Sequence, residues 1–291
     1  MPPAEDAKWS LMNTFTQNEL LEFLGGEGID IFCICRPEDL LVLDQSKYQR
    51  MQSAFNKAPG AVLIFLAPYF VGEEEANISL YAVSKDYHLY FKELSGRFSD
   101  VFGLGEGDFA LFGDNSPIDE VDAATAFGLG VRGDNGLVIN EKYGSYVFIG
   151  EIFLSFVPEG TVFSKRGEKR ECLHCKSCVK ACPESALVKG DMSNCLSAIS
   201  QKRRISDREA ELLKKHCVIW GCDLCQKKCP MNKNANITPI RFFYEDRIPQ
   251  ITREVIDKLV LEEKFSQRAF SWRGKDVILR NLNLTFQGFM W

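Results

Sequence analysis

Apolar and polar positions fall in blocks whose period changes along the chain, and those changes mark out its elements. Residues 16–36 read as a helix leading into the strand-like string IDIFCICRP. Cys33 and Cys35 alternate there with Phe32 and Ile34 and read as packing residues, because small cysteines are commonly buried. Residues 61–69, AVLIFLAPY, form a continuous apolar run that suits a buried strand. Helical periodicity occupies 80–102. A strand around 108–113, a helix around 117–127, a glycine loop at 128–136 and a strand around 145–156 follow. Residues 251–284 read as helical again, a packed pair joined near Ser271–Lys275. The pattern predicts an α+β fold, and 291 residues that are 45% hydrophobic suffice for one large domain or two modest ones.

Between these blocks the apolar periodicity lapses and cysteines take over. Residues 172–183 read CLHCKSCVKACP and residues 222–230 read CDLCQKKCP. The first is C-x2-C-x2-C-x3-C-P, the spacing of bacterial ferredoxins, in which three thiolates hold one [4Fe–4S] cluster and the fourth reaches a neighbouring cluster. The proline after the last cysteine turns the chain away and withholds an amide donor. Cys172, Cys175 and Cys178 are thereby assigned to cluster one and Cys182 to cluster two. By the same crossing logic Cys222 and Cys225 join cluster two, and Cys229 closes cluster one. Spacing leaves Cys195 and Cys217 both open as the last ligand. Zinc sites share C-x2-C pairs but not the third cysteine followed by x3-C-P. Disulfides fit poorly with an odd total of 11 cysteines.

Charge sharpens this division. Residues 1–163 carry 10 basic and 25 acidic side chains, whereas residues 164–233 carry 16 and 8. Lys165, Arg166, Lys169, Arg170, Lys202, Arg203 and Arg204 belong to the basic excess. It either balances the negative clusters with their thiolates or forms a surface for RNA phosphate or an acidic redox partner. The N-terminal string MPPAEDAKWSLMNTF has no basic and apolar leader pattern, and no run reaches the ~18 apolar residues of a membrane helix. With reduced thiols, these features predict a cytoplasmic protein.

GLGVRG at 128–133 has the letters of a dinucleotide fingerprint but follows a helix and precedes the strand LVIN, the reverse of the required order. Its glycines instead predict a backbone that closely approaches something flat or bulky. Asp114 in GDNSP has a turn residue's composition. The three histidines are His88, His174 and His216. His88 reads as a packed surface residue of a helix, and His174 as tuning or shielding a cluster. A pair of clusters is an electron wire, and the 163 residues before it are expected to hold the acceptor.

Several strings together resemble the epoxyqueuosine reductase family. They are YAVSKDYH at 81–88, FGDNSP at 112–117, FGLGVRGDN at 127–135, GSYVFIGEIF at 144–153, NCLSAIS at 194–200 and GCDLCQKKCP at 221–230. The tail 259–281 resembles the segment that leads into that family's helical repeats, so the chain reads as a short paralogue without them. The resemblance implies a nitroreductase-like half-domain at 1–163 holding base-off cobalamin, a double [4Fe–4S] ferredoxin-like domain at 164–240 and a helical tail at 241–291. It selects Cys195 as the eighth ligand and places Asp114 as the acid that protonates a leaving oxygen. Tyr87, His88, Gly128, Gly130, Gly133, Asn135, Gly144 and Ser145 match the cobalamin surround. Val131 and Asp134 depart from the family's aromatic and lysine, and the arginine expected in the helix after the Asp114 turn is replaced near Val121. The implied activity is reduction of an epoxide on a tRNA nucleoside or a related small molecule. A ferredoxin or flavodoxin would be the reductant, the chain would be a monomer, and no membrane would be involved. The alternative is a non-enzymatic electron-transfer or corrinoid-handling protein; a third possibility is a flavin in the N-terminal domain.

Overall fold

The computed structural model describes residues 15–286 apart from residues 56 and 169. The string read for a leader, except Phe15, and Lys169 of the basic segment lie outside the described residues. Six strands occur among them: β1 (Phe32–Cys35), β2 (Ala61–Pro68), β3 (Phe109–Gly113), β4 (Val131–Arg132), β5 (Val138–Ile139) and β6 (Val147–Leu154). Four make an antiparallel sheet in the order β1-β2-β6-β3, and β4 and β5 form a separate ribbon.

The unbroken apolar run of β2 has a direct cause: both faces of the sheet are covered. Ala61, Leu63, Phe65 and Ala67 point into one core, while Val62, Ile64 and Leu66 point into another. The first core is closed by Leu20 and Leu24 of helix Gln17–Gly26 and by Tyr90, Phe91, Leu94 and Phe98 of helix Tyr87–Phe102. The second is closed by Met51 of helix Gln45–Ala54 and by Ala123 and Ala124 of helix Glu120–Ala126. Each large side chain withdrawn from water contributes about 1.5–3 kcal/mol, so this double cover outweighs local propensity. Cys33 and Cys35 are buried, free and part of the second core, as packing residues should be.

Helix starts follow from their caps. Thr16 and Glu19 form a capping box, with Glu19 N donating to Thr16 Oγ1 at 3.2 Å and Thr16 N donating to Glu19 Oε2 at 2.7 Å. Asp86 accepts from His88 N at 3.0 Å and opens helix Tyr87–Phe102. The helical reading of 80–102 thus holds from Tyr87 onward, with a short 3-10 turn at Leu80–Ala82 before it. Helix Gln45–Ala54 has no counterpart among the sequence expectations, since Met51 is its buried residue and its pattern is otherwise polar.

Cysteine-bearing residues 171–232 form short helices and loops, and the tail then returns to the first half. Phe242 and Phe243 join the first core beside Tyr90. Helices Arg253–Leu261 and Lys275–Phe286 pack with Val83, Ile219 and Trp220 in a third core. Two 3-10 turns, Phe265–Gln267 and Ser271–Arg273, join those helices, so the connection is longer than the sequence pattern predicts.

Candidate functional site

The two cysteine arrays fold so that their thiols gather in two neighbouring groups. Cys182, Cys195, Cys222 and Cys225 line one cavity of ≈ 210 Å³ together with Asn135 and Leu137. Burial pushes the Cys222 thiol up, and the facing thiols of Cys195 and Cys182 add to it. Burial likewise pushes Cys225 up to about 12, reinforced by Cys222 and Cys195. Burial also raises Cys229, which faces Cys175 and Cys172, and Cys178 faces Cys229. Grouped thiols that raise one another in this way are held as anions only by a positive partner such as iron. Asn135 lines the first cavity, and its side chain hydrogen-bonds the Cys225 thiol. The donor set fits [4Fe–4S] clusters.

Cys217 stands apart. It is exposed, not buried as its apolar surroundings HCVIWGCD suggest, and it lies in a left-handed turn (φ 51°) after helix Asp207–Lys215. His174 and Lys176 take left-handed conformations (φ 48° and 59°) in the first array. Both are tied to Asp134, through His174 Nδ1 at 2.9 Å and Lys176 Nζ at 3.0 Å. Asp134 therefore pins the β4–β5 turn to the loop of Cys172 and Cys175. Ligand atoms of Asp134, Cys172 and His174 lie within 4.8 Å of one another.

A second, half-open cleft of ≈ 190 Å³ is lined in part by Leu137 and Val138 of the β4–β5 ribbon. Tyr87, Asp114, Glu120, Leu137, Ser145 and Phe148 help to line it. Asp114 owes its position to two facing glycines. Gly113 and Gly150 pair across β3 and β6, and any Cβ on either would lie within 2.0–2.3 Å of an aromatic ring, Phe91 over Gly113 and Phe65 over Gly150. β3 can therefore run close to helix Tyr87–Phe102 before turning. The turn itself is strained: Asp114 and Asn115 both have positive φ, 67° and 57°, which L-residues seldom adopt in succession and which clusters at functional sites. Tyr87 Oη donates to Asp114 Oδ2 at 2.7 Å, Asn115 N donates to Oδ1 at 2.8 Å, and Lys47 donates to the Asn115 carbonyl. Burial first, then the Asp114 charge, holds the Tyr87 phenol far above its usual range, so it remains a donor.

Two further acids belong to this region, Glu120 on the cleft wall and Glu151 buried beneath it, and the sequence reading did not single them out. Burial pushes Glu120 up to about 7, with Asp114 and Asp119 adding to it and Ser116 N, at 3.1 Å, opposing. Glu151 is fully buried in β6, with the Ser116 side chain as its hydrogen-bond partner. Burial raises it well above the carboxylate range, with Glu120 and Asp114 contributing and Lys47 opposing. The available signal was the acid interrupting VFIGEIFL, between Ile149 and Phe153 on the face of the second core.

The two cavities share a wall. Leu137 lines both. Ser145, on the cleft, donates its backbone N–H to Asn232 Oδ1 at 2.8 Å, while Gln226 Nε2 donates to the Ser145 carbonyl at 2.8 Å. Gln226 adjoins Cys225, and Asn232 follows Cys229 by three residues. Of the sequence-predicted surround, Tyr87 and Ser145 line the cleft and Asn135 lines the cysteine cavity. Gly130 and Gly133 serve their own ribbon: a Cβ there would meet Val138 Cγ1 at 2.7 Å or Asn135 Oδ1 at 2.4 Å. The bulky neighbour of these glycines is thus the chain itself. Gly144 (φ 59°) sits against Asn232, and Gly128 (φ 80°) faces open space. His88 stacks on Tyr87 at 4.2 Å, pairs with Asp86 and does not line the cleft.

Residues 171–232 match the family described as a 4Fe-4S double cluster binding domain. An epoxyqueuosine reductase from Lactococcus garvieae is 34% identical over 68% of this chain and 58% of its own length. One from Listeria monocytogenes is 34% identical over 58% of this chain and 45% of its own. The chain is a homologue of the epoxyqueuosine reductases. It spans about half the length of these curated relatives. The fold agrees: the structure of epoxyqueuosine reductase from Streptococcus thermophilus superposes with a TM-score of 0.73 at 20% identity, covering 94% of this chain and 81% of the other. An epoxyqueuosine reductase crystallised with an epoxyqueuosine-modified tRNA-Tyr stem loop gives 0.68 at 22% identity, with the same coverage. Among the described residues no helix is long and apolar enough to cross a membrane.

Proposed function

We propose that this chain is an iron–sulfur, corrinoid-dependent reductase of the epoxyqueuosine reductase kind, acting on an epoxide carried by a tRNA nucleoside or a related small molecule. The observation that carries the reading is the shared wall: a cleft holding Asp114 abuts a cavity lined by four cysteines, with Leu137 in both. Cys182, Cys195, Cys222 and Cys225 would hold one cluster, and Cys172, Cys175, Cys178 and Cys229 the other.

The cleft suits the face of a corrinoid in a nitroreductase-like half-domain. Val147, Phe148 and Ile149 give it an apolar strip, and polar Ser145 and Tyr87 line it as well. Bound there, a corrinoid would supply low-potential electrons to a carbon–oxygen bond. Asp114 would hold the proton for the departing oxygen, aimed by Tyr87 Oη and fixed by its strained turn. One structure of a Bacillus subtilis epoxyqueuosine reductase is described with its catalytic aspartate loop swung out of the active site, and a loop of that kind supports the role given to Asp114.

The basic excess of residues 164–233 would meet tRNA phosphate or an acidic ferredoxin or flavodoxin. Clusters and free thiols suit a reducing compartment such as the cytoplasm. Anaerobic titration of the cluster-reconstituted protein with cobalamin, read by the electron paramagnetic resonance of Co(II), tests the site. A stoichiometric base-off signal is expected. Absence of binding would leave a two-cluster electron-transfer protein instead.

A further inference from the structure

Removing an epoxide oxygen breaks two carbon–oxygen bonds, forms an alkene and releases water. The balance requires two electrons and two protons. The reduced iron–sulfur donor of the proposed function supplies the electrons. Asp114 can give one proton and is then a carboxylate that must be recharged before the oxygen leaves as water.

The cleft contains a group placed for that task. Glu120 lines it together with Asp114 and is fixed by Ser116 N, two residues beyond Asp114, at 3.1 Å. From the sheet side Glu151 of β6 interacts with both, fully buried and with the Ser116 hydroxyl as its hydrogen-bond partner. Glu151 lies opposite Phe112 in the register of β3 and β6, two residues before Asp114. Asp119 approaches from the start of Glu120's own helix, and Lys47 from helix Gln45–Ala54. Lys47 is committed to the Asn115 carbonyl and lies over the Phe112 ring at 5.3 Å. Asp114, Asp119, Glu120 and Glu151 therefore stand around one lysine, the first exposed and the last fully buried, and their mutual repulsion favours a proton on the inner acids.

We propose that Glu120 is the proton reserve of this site, recharging Asp114 so that the second proton reaches the departing oxygen. Glu151, sealed behind it, stays neutral, so the proton on Glu120 is held by that residue's own burial and by the Asp114 and Asp119 charges. Glu120 acts through Asp114 and is a positioning residue in that sense. The proposal rests on the reductase reading, and its test separates the two.

Glutamate labelled with 13C at the side-chain carboxyl, in the full chain without substrate, reports the titration of Glu120 directly, assigned by loss of its signal in Glu120→Gln. A midpoint near 7 is expected; one in the ordinary range, about 4–5, overturns the proposal. The pH–rate profile of epoxide reduction is the second arm. Glu120→Gln keeps the acceptor for Ser116 N but cannot titrate, and should slow turnover about tenfold or more while flattening the limb near neutrality. Glu120→Asp should retain that limb. A Glu120→Gln profile parallel to wild type sinks the proton reserve and leaves the reductase standing. Wild-type protein that reduces no epoxide at any pH takes down both readings.

Discussion

Asp114 carries the sharpest consequence at the scale of single residues. Asp114→Asn retains the shape of the turn and an acceptor for the Tyr87 hydroxyl, but removes the transferable proton. Turnover of an epoxide substrate should fall by about 10²-fold or more, with iron content and cobalamin affinity unchanged. Equal losses in binding and turnover would make Asp114 a structural turn residue. Glu151 gives a prediction that needs no substrate. Its folded-state affinity for a proton is raised, so the folded chain keeps a proton that the unfolded chain releases above about pH 4.3. Stability contributed by that bound proton is complete below this pH and declines as pH rises towards the elevated folded value, by at most about 1.4 kcal/mol per pH unit. Glu151→Gln should therefore stabilise the protein at neutral pH relative to wild type, and less so at pH 4, in denaturant melts. A stability difference independent of pH would show Glu151 to be ionised in the fold. The cysteines were legible in the sequence because metal ligation leaves a spacing. Glu120 and Glu151 were not, because their chemistry arises from a shared cleft built by two separated segments.

Elements show the same division between local and long-range information. β2 was legible because burial on both faces writes itself as an uninterrupted apolar run. Helix Gln45–Ala54 was not, because a helix that buries mainly Met51 leaves little periodicity to read. The glycine loop was half legible: its need for glycine was visible, but its close neighbour is its own return strand β5. Gly130→Ala should accordingly strain the ribbon, since its Cβ would lie 2.7 Å from Val138 Cγ1 and 2.8 Å from the Ile139 carbonyl oxygen. Faster amide exchange across β4 and β5, with β2 and β6 unaffected, is the expected signature. Unchanged exchange would mean that the ribbon yields at no cost. Asn232 is the matching device between segments. Its side chain accepts from Ser145 N at 2.8 Å and donates to the Ser145 hydroxyl at 2.8 Å and to the Gln226 carbonyl at 2.7 Å. Asn232→Ala leaves those buried groups unpaired and should cost about 1–3 kcal/mol.

Across the whole molecule, the cysteine segment is enclosed rather than appended. Trp220 donates to Tyr81 Oη at 2.9 Å, Ser79 N donates to the Trp220 carbonyl at 2.8 Å, and the tail helices pack on both. Loss of iron should consequently lower the melting temperature of the entire chain in one transition, because ligands that bind only the folded state stabilise it by mass action. Two separate transitions, one insensitive to chelator, would contradict that enclosure. In the same architecture Leu137 lines both the four-cysteine cavity and the Asp114 cleft, which is the basis for reading the chain as a reductase. The most direct test is a single-turnover reaction under anaerobic conditions. Cluster- and cobalamin-loaded protein, chemically reduced, is mixed with an epoxyqueuosine-bearing tRNA stem loop, and the nucleoside is analysed by mass spectrometry. Loss of one oxygen atom with formation of the alkene is predicted. An unaltered epoxide in the presence of fully reduced clusters and bound cobalamin would contradict the account.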